Sequence, residues 1–151
     1  MFFTRRLTSF VLTLLIACWS VSARPLWFTR ALLPRASTLN VATCTDPATQ
    51  LVEHDCNVAL LGLGGGIAGA IEFLRVDNST TSATSGTCTV TATAVDGGTT
   101  IDISKGRLEG HGSTNGGFDN LLTACGPSPG SMVIGGGAKP TGNIQIAISA
   151  A

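Results

Sequence analysis

The 151-residue chain contains no tyrosine. Both tryptophans, Trp19 and Trp27, lie near its start, and beyond residue 30 the only aromatic side chains are Phe73 and Phe118. Sugar sites usually take their apolar contact from Trp or Tyr faces, so this scarcity weighs against an aromatic-lined lectin site. Basic residues are also scarce where most of the chain lies. Beyond Arg35 only Arg75, Lys105, Arg107 and Lys139 stand against nine Asp and Glu, a net charge of −5, although the whole chain sums to zero. Such a surface repels phosphate backbones and argues against a nucleic-acid partner. Its acidity mainly favours solubility. No two cysteines form a Cys-x-x-Cys pair, and only His54 and His111 could assist them, so neither a metal site nor a cofactor is expected.

What the chain does contain is a break near residue 35. Arg5 and Arg6 precede an apolar run to Trp19, and Val21-Ser22-Ala23 supplies small residues suited to signal peptidase. Residues 1–23 are therefore expected to be a signal peptide cut after Ala23, and the protein to be secreted. Residues 24–35, ending Leu-Pro-Arg, read either as a short propeptide or as an N-terminal arm. Residues 36–151 form one domain, whose modest core would gain from covalent support. Cys18 leaves with the leader. Cys44, Cys56, Cys88 and Cys125 remain, an even number in an oxidising compartment, which predicts two disulfides among three possible pairings.

The pattern predicts a helix over 47–63, with Asp46 as N-cap, Pro47 at its first position and Gly64 beyond its end. Val52, Cys56, Ala59, Leu60 and Leu63 share one face of it; Glu53, His54 and Asn57 point away. Strands are expected over 70–76 and 87–95, separated by a polar loop over 77–86. In the second strand Cys88, Val90, Ala92 and Ala94 alternate with threonines, as in a half-buried sheet. Asp96-Gly97-Gly98 reads as a hairpin turn to a strand over 99–104. A second helix ends at Cys125 before Gly126-Pro127, and strands follow around 132–134 and 143–149. This order implies an α+β domain, a mostly antiparallel sheet with two helices on one face. Antiparallel helices would bring Cys56 near Cys125, giving Cys56–Cys125 and Cys44–Cys88 bridges.

Five features invite chemistry. Gly64-x-Gly66-x-x-Gly69 matches the letters of a dinucleotide fingerprint but follows a helix and lacks a βαβ context. The uncharged stretch 57–71 is too short to span a membrane comfortably and reads as a buried helix followed by a glycine-rich loop. Glu53-His54-Asp55 sets an imidazole between two carboxylates, yet adjacent helical residues diverge. His111 with Ser113 and Asp119 suggests a Ser-His-Asp set without a nucleophile-elbow context. Asn78-Ser79-Thr80 is an N-glycosylation acceptor in a polar segment. No catalytic residue is assigned, and the protein is not expected to be an enzyme.

Asp55-Cys56-Asn57 at a helix start, the Thr-Cys-Thr-Val strand over 87–90, Leu121-Leu122-Thr123-Ala124-Cys125 ending a helix and the terminal Gly-Asn-Ile-Gln-Ile strand resemble small secreted fungal proteins. The similar groups are necrosis-inducing effectors and killer-toxin-like proteins, followed by fungal glycan-binding α/β sandwich proteins. The resemblance implies a secreted, non-enzymatic protein that binds a protein, membrane or glycan at the surface of another cell. A lectin-like protein is the alternative, with a structural wall or matrix protein third. A monomer is the expected state.

Overall fold

The computed structural model describes residues 38–64, 66–68, 71–111 and 114–151. The expected leader, its cut after Ala23 and the 24–35 arm lie outside these residues. In chain order the elements are β1 (Ala42–Cys44), α1 (Glu53–Leu61), β2 (Gly66–Ala68), β3 (Ile71–Val76), β4 (Thr80–Ser85), β5 (Cys88–Val95), β6 (Thr100–Ser104), α2 (Lys105–Glu109), α3 (Phe118–Cys125), β7 (Gly130–Ile134), β8 (Ala138–Lys139) and β9 (Asn143–Ala150). The class is α+β, as the pattern implied. The strands divide into two antiparallel sheets, ordered β1-β7-β9-β5-β4 and β2-β3-β6-β8.

Alternation in two strands organises the larger sheet. Cys88, Val90, Ala92 and Ala94 of β5 and Ile144, Ile146 and Ile148 of β9 are buried, and the register sets Val90 opposite Ile148 and Ala92 opposite Ile146. Because side chains alternate along a strand, one face closes a core while Thr89, Thr91, Thr93, Gln145 and Ser149 turn outward. Leu74 of β3 and Ile101 and Ile103 of β6 join the same hydrophobic cluster from the smaller sheet. Cys56, Ala59 and Leu60 of α1 and Phe118 and Leu121 of α3 add the helical contribution.

The two helices cover the inner face of the larger sheet on opposite sides of β9. Cys56 in α1 is bonded to Cys88 in β5, with Cα atoms 5.0 Å apart, and Cys125 in α3 to Cys44 in β1, 5.5 Å apart. This corrects the expected Cys56–Cys125 and Cys44–Cys88 pairing. The strand order explains the exchange: α1 lies against β4 and β5 and α3 against β1 and β7. Each helix therefore finds its partner cysteine in the strand beneath it.

Other boundaries differ for local reasons. Helix α1 begins at Glu53, not near Pro47, because the Asp46 carboxylate folds back onto the Ala48 N–H (3.1 Å) and the Thr49 hydroxyl (2.6 Å). That Asx-type turn competes with capping a helix. Val52 is consequently 49% exposed rather than buried. The expected polar loop over 77–86 contains β4, recruited by β5 in an unbroken register from Thr80 opposite Thr93 to Ser85 opposite Cys88. At 96–98 the turn is present, with Asp96 and Gly97 at φ 55° and 94°, but it is no hairpin. Its flanking strands enter different sheets: β5 pairs with β4 and β9, and β6 with β3 and β8. The second helix ends at Cys125 as expected and begins at Phe118; Gly110, Gly116 and Gly117 adopt positive φ between it and the short α2.

Two cations brace these joints. Lys105 at the start of α2 is buried; its ammonium donates to the Leu61 carbonyl at the end of α1 (3.3 Å) and pairs with Glu72 of β3 (2.6 Å). A cation there complements the negative end of the helix dipole. Arg107 donates to the Gly116 carbonyl at 3.0 Å and holds the α2–α3 connection.

Candidate functional site

The start of α1 is fixed by two consecutive links. Next to the Cys56–Cys88 bridge, Asp55 accepts hydrogen bonds from the Thr87 N–H (2.8 Å) and hydroxyl (3.0 Å), and the Thr87 hydroxyl accepts the Val52 N–H (2.9 Å). The Thr87 backbone bond, then its side-chain bond, holds the Asp55 carboxyl below its ordinary value of 3.8. Gly86 sits against this clamp at φ 50°, where an added Cβ would overlap the Asp55 carboxylate. Asp55 is thus a structural group, while its neighbour Glu53 faces a different part of the surface.

That part is a cleft of about 670 Å³ between α1 and α3. Glu53 and Asn57 approach from α1, Asp119, Asn120 and Thr123 from α3, and His111 and Gly126 from the connections on either side of α3. Positions 53 and 57 are one helical turn apart, as are 119 and 123, so each helix presents a pair of polar side chains to the opening. His111 Nδ1 lies 2.9 Å from Asp119 Oδ2, with the histidine side chain 91% exposed. The Thr123 hydroxyl donates to the Asp119 carbonyl at 2.7 Å, inside α3. Carboxylates, amides and an imidazole give the cleft both donors and acceptors. Each of the two helices that form its walls is anchored to the sheet by a disulfide.

On the opposite side of the larger sheet lies a second surface. Thr80, Ser82 and Thr84 of β4 stand opposite Thr93, Thr91 and Thr89 of β5, and Thr89 and Thr93 stand opposite Ser149 and Gln145 of β9. No outward position on these three strands is charged. At both ends of the β4–β5 pair the hydroxyls meet, Thr84 with Thr89 at 2.8 Å and Thr80 with Thr93 at 3.4 Å. Successive hydroxyls therefore repeat along each strand at about 7 Å and between strands at about 4.8 Å. The result is a neutral hydroxyl lattice.

The structure brings His111 and Asp119 together, while Ser113 lies outside the described residues. It sends Glu53 to the cleft and Asp55 to Thr87, as their helical spacing implied. Gly64 ends the connection after α1 and Gly66 opens β2, so the glycine pattern has no following helix on which to place a pyrophosphate; Gly69 lies outside the described residues. Asn78 is exposed in the bend before β4. Among the described residues, no helix is long and apolar enough to cross a membrane, and no group of three or more His, Cys, Asp or Glu is placed to hold a metal ion. The two disulfides point to an oxidising, extracellular environment. The cleft escaped the sequence because Glu53 and Asn57 reach it only once α1 and α3 are placed on the sheet; a 53/57 and 119/123 polar pairing was the available signal. Neither protein-family models, curated proteins nor solved structures match the chain.

Proposed function

We propose that this is a secreted, non-catalytic recognition protein, effector- or killer-toxin-like, that binds at the surface of another cell. The observation that carries this reading is the α1–α3 cleft: a concave, polar opening whose walls are separately anchored by Cys56–Cys88 and Cys44–Cys125. Such anchoring reduces the ordering cost of binding. Its carboxylates and amides suit a partner rich in hydrogen-bonding or cationic groups, such as a polar protein loop. The alternative, a lectin-like protein, is favoured by one separate observation, the uncharged hydroxyl lattice on β4, β5 and β9, which suits a neutral polysaccharide despite the lack of Trp and Tyr.

The test uses labelled, purified protein on target cells and on a broad glycan array, with reduced and alkylated protein as control and two surface variants. Asn57→Arg fills the cleft; Thr91→Lys charges the lattice. The first reading expects saturable cell binding that is lost on reduction and at least tenfold weaker in Asn57→Arg, with an unresponsive array. Array binding abolished by Thr91→Lys and unaffected by Asn57→Arg establishes the lectin reading instead. Chemical turnover of a bound ligand overturns the non-catalytic assignment.

A further inference from the structure

Sheet edges expose unpaired backbone groups, and proteins usually shorten them, charge them or interrupt them with proline. Among the described residues, three of the four edges follow that rule. Strands β1 and β2 have three residues each, and β8 has two, with Lys139 followed at once by Pro140. The fourth edge is β4, six residues of sequence Thr-Thr-Ser-Ala-Thr-Ser, with no charge, no proline and no bulge.

Its open hydrogen-bonding groups can be assigned. The Ala94 N–H donates to the Ser79 carbonyl at 2.7 Å, so the opposed pair 79/94 is hydrogen-bonded. By the alternation of antiparallel ladders 81/92, 83/90 and 85/88 are also hydrogen-bonded. Thr80, Ser82 and Thr84 therefore direct N–H and C=O away from β5, and no other strand pairs with β4 among the described residues.

We infer that this edge pairs with β4 of a second copy of the chain, antiparallel and two-fold symmetric, with Ser82 opposite Ser82 of the partner. In that register Thr80 faces Thr84 of the partner subunit, and every open N–H and C=O of the three residues meets a complementary group. The side-chain pairing also repeats the Thr–Thr contacts already made between β4 and β5. No charge opposes a like charge along the seam, and the hydroxyl lattice continues from one copy into the next. A self-complementary strand of this kind favours a closed dimer over an open chain. Val58, 41% exposed, is three residues beyond Asp55 on α1, so it shares the helix flank from which Asp55 reaches Thr87 in the β4–β5 turn. Asn78, two residues before the start of β4, would stand opposite Gly86 of the partner subunit, so an N-glycan there would obstruct the pairing. The dimer replaces the monomer expected from sequence for the protein lacking that glycan.

Sedimentation equilibrium of purified, glycan-free protein over a concentration series tests this, with Ser82→Lys and Ser82→Pro compared at unchanged far-UV circular dichroism. Proline at 82 removes an N–H that makes no bond within the chain, and lysine leaves the backbone intact, so failure of one variant to fold leaves the other. The expected result is a monomer–dimer equilibrium whose dissociation constant rises at least tenfold in either variant. For register, Ser82→Cys should form a covalent dimer on mild oxidation and Thr80→Cys should not. A wild-type chain that stays monomeric at all concentrations, or a dimer indifferent to both Ser82 substitutions, overturns the inference.

Discussion

Strand β5 has two faces in unlike surroundings. Cys88, Val90, Ala92 and Ala94 are buried, in register with the Ile row of β9 and fastened to α1 by the Cys56–Cys88 disulfide. Thr89, Thr91 and Thr93, the residues between them, are half-buried and stand opposite Thr84, Ser82 and Thr80 of β4 and Ser149, Ala147 and Gln145 of β9. The backbone and register are shared; the surroundings are not. Stability therefore resides on one face, and the other can carry recognition chemistry without weakening the fold. The comparison is open to test by substitutions that should differ greatly in cost although they lie one residue apart.

The largest effect belongs to the covalent link on the sealed face. Replacing Cys56 and Cys88 together by alanine releases a crosslink of sequence separation 32, and the chain-entropy relation gives a loss of about 4 kcal/mol. Urea unfolding of the variant beside wild type measures it. Next comes Ile146→Ala on the adjoining strand. Ile146 is fully buried opposite Ala92 and Met132, and a truncated core isoleucine costs about 3 kcal/mol in lost burial and residual cavity. The same unfolding experiment should rank the two in that order.

This division between faces was largely visible in the sequence. Period-two alternation in Cys88–Val95 and in the Ile144, Ile146, Ile148 row fixes which side chains go inward, because a one-residue slip would expose them all. Strand β4 was not visible. Its Ser and Thr residues read as loop, and only pairing with β5 gives them a strand conformation. The turn at 96–98 shows the same limit: Asp and Gly set its dihedral angles locally, but the strand that β5 pairs with is decided across the chain by β9. Asp46 and Pro47 carry the letters of a helix start, yet the short carboxylate reached Ala48 and Thr49 first. At the cleft, the His111–Asp119 pair was legible from composition and proximity in sequence, whereas Glu53 and Asn57 depended on how two helices lie over a sheet.

A smaller effect separates the faces by pH. Asp55 ties the start of α1 to the β4–β5 turn at the end of the sealed face, and hydrogen bonds from Thr87 lower its pKa from 3.8. Asp102, held by Lys139 and then Arg75 on the smaller sheet, is lowered as well. A carboxyl whose folded pKa lies below its unfolded value binds more protons when unfolded, so its stabilisation is complete above about pH 4 and declines as pH falls through the folded value. Asp55→Asn should lower the melting temperature at pH 7 and leave a shallower acid limb below pH 4. Gly86→Ala should resemble it at pH 7, since the added Cβ displaces the same carboxylate. Melting curves from pH 2.5 to 7 check both; an acid limb unchanged in Asp55→Asn would remove Asp55 from the linkage.

The smallest effect on stability should fall on Thr91, between Val90 and Ala92. Its side chain is outward and half-buried, opposite Ser82 and Ala147, and makes no hydrogen bond to either of the threonine pairs at the ends of β4 and β5. Thr91→Ala removes one hydroxyl and one methyl from the lattice without opening a core cavity, and it lowers strand propensity only modestly. Its cost should stay within about 0.5 kcal/mol, against several for Ile146→Ala. A loss comparable to that of the core substitution would mean that the outer face is itself a packed surface, and would end the separation of recognition from stability on which the two readings of this sheet depend.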